Sequence, residues 1–187
     1  FATLVVGSAK AKFTIHQELL ISQSPYFRAA LTSGFKEAKT RTIVMKTEDA
    51  QTVEFFVHWL YHVRFPCKDD APELFALWTD GEGYGDLLTN NLIELHVFGD
   101  KYNVPQLRTH TITHLFYHIE CELGEPLPDA DMVRYAFDNL PAGAPMCKYL
   151  ADTYCYFARD QDWRAFEPSD WPRQFLADVL TRYTEFA

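Results

Sequence analysis

The fold is decided by two consecutive stretches, Phe13-Thr-Ile-His-Gln-Glu-Leu-Leu20 and Ser24-Pro-Tyr-Phe-Arg-Ala-Ala-Leu31. Residues 12–15 alternate polar and apolar side chains, which is typical of a half-buried strand, and the apolar spacing becomes helical from Leu19 onward. The Ser-Pro pair predicts the start of a second helix, because serine caps free N–H groups and proline is tolerated in the first helical turn. The predicted buried stripe of this second helix consists of Phe27, Ala30 and Leu31.

Residues on either side of these stretches predict the elements that flank them. Residues 3–6 are β-branched or apolar, so we expect a strand that is joined to the 12–15 strand by a turn at Gly7 and Ser8. Gly34 is predicted to end the second helix in the left-handed conformation, which glycine adopts without steric cost.

A short strand at 42–45 and a long helix come next in the chain. The run Thr47-Glu48-Asp49 is predicted to supply the acidic and capping residues of this helix, which runs to about Tyr61. Its apolar residues recur at spacings of three and four, and two further aromatic residues widen the stripe, which predicts a central position in the core. These residues are Val53, Phe55, Phe56, Val57, Trp59 and Leu60.

Residues 64–88 interrupt the pattern of short elements. Proline, glycine and several acids surround one small apolar patch, so we predict a long surface loop with a single helical turn. Long loops inside a compact domain are uncommon, and this one is interpreted as an acidic insertion. Its apolar patch comprises Leu74, Phe75, Leu77 and Trp78.

The remainder of the chain is predicted to be helical. We expect one helix that Asn90 or Asn91 caps and that ends near Asn103, and another that starts at Pro105. The second of these is predicted to bury Ile112, Leu115, Phe116 and Ile119. After a linker at 124–128, three more helices are predicted at about 130–138, 145–158 and 172–185.

Five blocks of residues, taken in order, resemble the BTB/POZ domain, in the form common in filamentous fungi that carries a C-terminal helical extension. They are the two stretches quoted above, Gly34-Phe-Lys-Glu-Ala38, Phe56-Val-His-Trp-Leu-Tyr61 and Gly99-Asp-Lys-Tyr-Asn-Val-Pro-Gln-Leu107. The resemblance implies an α+β fold, in which a small three-stranded sheet packs with a cluster of helices and an all-helical extension follows. We expect the BTB/POZ-like domain, with the insertion at 64–88, at residues 1–120 and the extension at 121–187.

The composition favours a globular protein that avoids anionic partners. The 187 residues are 48% hydrophobic and carry 17 basic against 26 acidic side chains, a net charge of −9. An acidic chain repels phosphate, so direct nucleic-acid binding is not expected. No apolar run reaches the roughly 18 residues of a membrane span, so no membrane partner is expected either. The scattered cysteines favour reduced thiols in the cytoplasm or nucleus; they are Cys67, Cys121, Cys147 and Cys155.

No residue pattern predicts catalysis, a cofactor or a bound metal. The glycine-rich run at 81–85 lies among acids and lacks the cation of a phosphate-binding loop, so we expect a loop tip. His110, His114 and His118 recur on one helical face; we favour a solvated or interface surface over a zinc site, because no acid or cysteine stands at a telling spacing. His16 is interpreted as a structural residue bonded to a local backbone group. We therefore predict that the chain is not an enzyme.

The resemblance implies a non-catalytic interaction module that self-associates as a homodimer, scaffolds partners and pairs with other BTB proteins. The candidate residues for self-association are Leu4, Val6, Leu19, Leu20 and Tyr26. An alternative function is that of substrate adaptor for a cullin-type ubiquitin ligase, because Phe35-Lys36-Glu37 matches the apolar-x-Glu pattern of cullin-binding members. In that case Phe35 enters a pocket of the cullin scaffold and Glu37 adds a polar contact. Otherwise Phe35 closes the local core.

Overall fold

A computed structural model describes residues 1–79, 86–121, 127–159 and 167–186 of the chain. The first elements are β1 (Ala2–Val6), β2 (Ala11–Ile15), α1 (Gln17–Gln23), α2 (Pro25–Thr32), α3 (Lys36–Thr40), β3 (Thr42–Met45), α4 (Ala50–His62) and α5 (Pro72–Thr79). Then come α6 (Asp86–Lys101), α7 (Pro105–Phe116), a π-helical turn (Tyr117–Cys121), α8 (Ala130–Asn139), α9 (Pro145–Phe157), a 3₁₀ turn (Pro168–Asp170) and α10 (Arg173–Phe186). A small sheet followed by many helices confirms the predicted α+β class.

The described chain divides into two compact units. The first comprises Phe1–Gly83 and Phe98–His110, and the second comprises Tyr84–Val97 and Thr111–Ala187. The division falls within α6 and within α7. The boundary predicted between 1–120 and 121–187 remains a prediction.

The sheet of the first unit has the strand order β2-β1-β3. β1 pairs antiparallel with β2, with Leu4 opposite Phe13, and parallel with β3, with Leu4 opposite Ile43. Gly7 makes the turn after β1 possible, because its φ of 66° lies in the region that favours glycine. The three predicted strands are confirmed, and the inner face of β1 is fully buried.

Side-chain caps begin α2 and α4 in the first unit, as predicted. The buried Ser24 hydroxyl accepts the N–H of Phe27 at 3.0 Å and donates to the carbonyl oxygen of Tyr102 at 2.6 Å. The Asp49 carboxylate accepts two N–H groups in the first turn of α4. Because Ser24 bonds a residue 78 positions away, its cap also joins α2 to the segment after α6.

Aromatic rings fill the core of the first unit. Phe27 stacks on Tyr102 with ring centroids 5.6 Å apart, and Phe56 lies 4.8 Å from Phe98. α4 contributes six buried residues, which confirms its predicted central position. A sheet of only three short strands therefore gains its stability from the helices on its inner face.

The second unit has a core of its own, formed by α8, α9 and α10. The Tyr154 hydroxyl donates to the carbonyl oxygen of Pro128 at 2.6 Å, and Arg182 pairs with Asp152 at 2.6 Å. These three helices confirm the last three predicted helices. The buried members of the core are Val133, Ala151, Tyr154, Phe175 and Val179.

The structure corrects the prediction of a loop after α4. Residues 72–79 form the two-turn helix α5, and Trp78 is only 2% exposed. Its ring lies edge-on to Phe55 at 4.7 Å and stacks on Phe65 at 5.1 Å. The apolar patch is thus split, because Trp78 belongs to the core whereas Leu77 is 47% exposed.

Three predicted helix details are also wrong. Gly34 does not adopt a left-handed conformation, since α2 ends at Thr32 and the chain leaves through extended backbone at Ser33. α6 begins at Asp86, so Asn90 and Asn91 lie inside the helix instead of capping it. On α7 the residue Phe116 is exposed, because the buried stripe follows Thr111, Leu115 and His118.

Candidate protein-interaction surface

The connection between α2 and α3 presents a large aromatic side chain to solvent. Phe35 is the N-cap of α3, its backbone is extended, and its side chain is 64% exposed. By contrast, Phe27 on the preceding helix is fully buried. Because burying a phenylalanine side chain gains about 1.5–3 kcal/mol, Phe35 is suited to anchor a partner. Its exposure excludes the alternative in which Phe35 closes the local core.

Glu37 lies in the first turn of α3 and is half-buried. Phe35 and Glu37 therefore lie on one short segment between α2 and β3, with an exposed apolar ring followed by an acidic side chain. The backbone carbonyl of Arg41, which follows α3, accepts the N–H of Thr3 at 2.8 Å and fixes the end of this segment to β1.

The residues predicted for self-association differ in accessibility. Leu4, Val6 and Leu20 are buried inside the first unit, where they hold the sheet and α1 in place. Leu19 is half-buried, and Tyr26 is 43% exposed with its ring edge-on to Tyr102 at 5.2 Å. Only the latter two offer side-chain surface to a partner.

A polar network holds the end of α6 to the start of α4. The Tyr102 hydroxyl donates to the Glu48 carboxylate at 3.0 Å, and Lys101 forms an ion pair with the same carboxylate. Burial, and then the charge of Glu48, raise the pKa of Tyr102 far above its ordinary value. Asp100 pairs with Arg108 at 2.6 Å. These polar groups therefore hold elements of the first unit together.

The predicted histidine surface does not form as expected. The indole N–H of Trp59 donates to Nδ1 of His110 at 3.0 Å, and in the second unit His118 is buried while His114 is exposed. No group of three metal-binding side chains occurs among the described residues. His16 is bonded by the Tyr61 hydroxyl, 2.8 Å from its Nδ1, instead of by a local backbone group.

One polar cluster at the end of α4 was not found from the sequence. The Cys67 thiol donates to the Asp70 carboxylate at 2.6 Å, and Arg64 forms an ion pair with the same group. The bond from Cys67, and then the charge of Arg64, lower the pKa of Asp70. His58 stacks on His62 at 4.5 Å, and burial followed by the charge of His62 lowers the pKa of His58.

Two further expectations concern the glycine-rich run and membrane-spanning helices. The glycine-rich run at 81–85 lies outside the described residues. Among the residues that are described, no helix has the length and apolar character needed to cross a membrane.

Comparison with known proteins gives a family match that lies within the first unit. A family model for the BTB/POZ domain matches residues 2–80, which include the sheet, α1 to α5 and the Phe35 segment. Residues 2–80 form a BTB/POZ domain. BTB/POZ domains are protein-interaction modules, so this part of the chain is one as well.

Curated relatives of the BTB/POZ domain support the same conclusion. The chain is 32% identical over 121 residues to "Kelch repeat and BTB domain-containing protein 4" of Homo sapiens, Mus musculus and Pongo abelii. The match covers 58% of this chain and 23% of each relative. The chain thus spans less than a quarter of the length of the relatives it matches.

Proposed function

We propose that this chain is a non-catalytic assembly module that self-associates and scaffolds a second protein. The proposal is supported by the BTB/POZ match over residues 2–80. Leu19 and Tyr26, on the mutually contacting helices α1 and α2, offer the apolar surface for a second copy. Tyrosine suits such an interface, because it removes a large area from water at a low cost in side-chain entropy.

A second candidate function, that of substrate adaptor for a cullin-type ubiquitin ligase, is favoured by the exposure of Phe35. An aromatic side chain that is 64% exposed at the start of the short helix α3 is available to fill a pocket of a cullin scaffold. Glu37, two residues later, supplies the polar contact of the apolar-x-Glu pattern. The substrate then binds elsewhere, in the helical extension or in a further region of the protein.

Phe35→Ala and Glu37→Ala test the adaptor function. Truncation of a buried aromatic anchor at an interface costs about 2–4 kcal/mol, so Phe35→Ala is expected to weaken cullin binding by about 30- to 1000-fold. Glu37→Ala is expected to cost about 1–2 kcal/mol, because it leaves one polar group of the scaffold without its partner. Calorimetric titration of a purified cullin scaffold measures both losses.

Val44→Ala is the matched control, since Val44 is 57% exposed on the same unit but lies on β3. All three variants are expected to remain dimeric by light scattering and to unfold within about 1 kcal/mol of the parent chain. Absence of cullin binding by the parent chain refutes the adaptor function. A single species of 21.7 kDa at high concentration refutes self-association.

A further inference from the structure

The segment around Phe35 is basic although the chain is acidic. Between Pro25 and Arg41 the sequence has four cations and a single acid, whereas the whole chain has a net charge of −9. We call the four cations the basic rim; they are Arg28, Lys36, Lys39 and Arg41. The acid among them is Glu37.

The basic rim is exposed and has no acidic partner among the described residues. All four side chains are exposed, and none takes part in an ion pair within the part of the chain that the structure describes. Arg28 lies on α2, the two lysines lie on α3, and Arg41 directly follows α3. α3 contacts both α2 and β3, so the rim occupies consecutive elements that pack together.

Backbone contacts hold the two arginines of the rim. Nε of Arg28 donates to the carbonyl oxygen of Ile21 at 3.0 Å, which orients the guanidinium and leaves its terminal nitrogens for an outside acceptor. The backbone of Arg41 is fixed to β1 through Thr3. Because the Arg28 guanidinium is already held and loses less side-chain freedom on binding, it is suited to bidentate contact with a carboxylate.

We propose that the basic rim selects an acidic protein segment as the partner that covers Phe35. This inference rests on the proposed partner contact at Phe35 and adds the charge of the partner to it. The buried apolar anchor supplies most of the affinity, whereas the surrounding cations supply selectivity and speed of association. An acidic segment pairs with the rim, and a basic one is repelled.

The charge distribution favours an acidic polypeptide over an extended polyanion or a lipid surface. Electrostatic interactions fall off over about 8 Å at physiological ionic strength, so a short acidic segment senses only the local cations. A membrane or a nucleic acid extends much further and meets the rest of the chain, and the net charge of −9 over the whole chain repels it. An exposed phenylalanine on the same segment also fits a protein pocket.

Binding of charged model peptides by the full chain tests the proposal. The probes are a short amphipathic peptide of leucine and glutamate, its counterpart with lysine in place of glutamate, and phosphatidylcholine vesicles that contain phosphatidylserine. We expect the chain to bind the glutamate peptide and not the lysine peptide. Its affinity for the glutamate peptide is expected to fall about tenfold as the salt concentration of the buffer is raised.

Lys36→Glu/Lys39→Glu is expected to weaken binding of the glutamate peptide by at least about tenfold. The matched control Lys68→Glu/Lys148→Glu makes the same change of charge at two exposed lysines outside the rim and is expected to stay within about twofold. Circular dichroism melting of both double variants verifies that the fold is retained.

Equal binding of the two peptides, or an equal effect of the two double variants, overturns the proposal. Rim-dependent capture by the anionic vesicles without binding of the glutamate peptide also overturns it and assigns the rim to lipid. The cullin scaffold is titrated in parallel. Binding of the glutamate peptide without binding of the scaffold refutes the adaptor function alone, whereas Phe35-dependent scaffold binding without peptide binding refutes the acidic partner alone.

Discussion

Trp78→Ala tests whether the segment after α4 belongs to the core of the BTB/POZ domain. Trp78 is 2% exposed, and its ring contacts those of Phe55 and Phe65 at 4.7 and 5.1 Å. Both neighbours are themselves buried. The substitution therefore removes the middle ring of a buried aromatic group that joins α5 to α4.

The expected loss of unfolding free energy is large. Truncation of a buried tryptophan to alanine costs about 3–5 kcal/mol, from lost transfer free energy and from the cavity that remains. Two aromatic neighbours lose their partner at once, which places Trp78 in the upper part of that range. For a chain of this size each kcal/mol lowers the melting temperature by about 2–4 °C, so a loss of about 4–5 kcal/mol is expected to lower it by about 8–20 °C.

Urea unfolding followed by far-ultraviolet circular dichroism measures the loss. Leu77→Ala is the matched control, because Leu77 is the adjacent residue on α5 and is 47% exposed. Its substitution is expected to cost less than about 1 kcal/mol. If the two variants lose the same small amount, then Trp78 does not support the core and the segment is peripheral.

Two further predictions concern glycine and histidine. Gly7→Ala is expected to cost about 1–2 kcal/mol of unfolding free energy, because φ is 66° and a Cβ would lie 3.2 Å from the Glu48 carbonyl oxygen. Gly34→Ala is expected to be neutral or to stabilise by up to about 1 kcal/mol, since no atom lies within 4 Å of its Cβ position. Equal losses of unfolding free energy for Gly7→Ala and Gly34→Ala in urea would contradict both predictions. Folding lowers the pKa of His58 below its ordinary value of 6.5, so its contribution to stability is complete above pH 6.5 and is lost as pH falls toward the folded pKa. Urea midpoints measured from about pH 7.5 to 5 should therefore fall less steeply in His58→Gln, and parallel curves would refute the assignment.

Local sequence was sufficient to predict the start, the end and the buried face of a helix where these depend on residues close together in the chain. The Ser24-Pro25 pair and the Thr47-Glu48-Asp49 run predicted the starts of α2 and α4, because a capping side chain bonds N–H groups two or three residues away. Asn103 was predicted to end α6, and its φ of 47° bears this out. The apolar spacing of α4 predicted its burial, because apolar residues at spacings of three and four form one helical face that packs against the core.

The candidate site was only partly predictable. The pattern of Phe35 and Glu37 was visible in the sequence, but exposure was not, because the same residue type is fully buried at Phe27. The basic rim was missed, although the excess of cations between Pro25 and Arg41 is a signal that a local charge count would have found. The net charge of the whole chain is negative and therefore does not indicate this local excess of cations.

The sequence by itself determined the order of the three strands and of the helices other than α3 and α5, most of their boundaries and the presence of a BTB/POZ domain, because these follow from contacts between residues close in the chain and from a distinctive set of blocks. Tertiary structure alone decided which apolar side chains are buried outside the regular stripes. Trp78 is buried and Leu77 exposed because Phe55 and Phe65 lie on one side of α5. Phe35 is left in water because α3 rests on α2 and β3 without covering it. Burial of this kind depends on residues distant in sequence, which a local pattern does not contain.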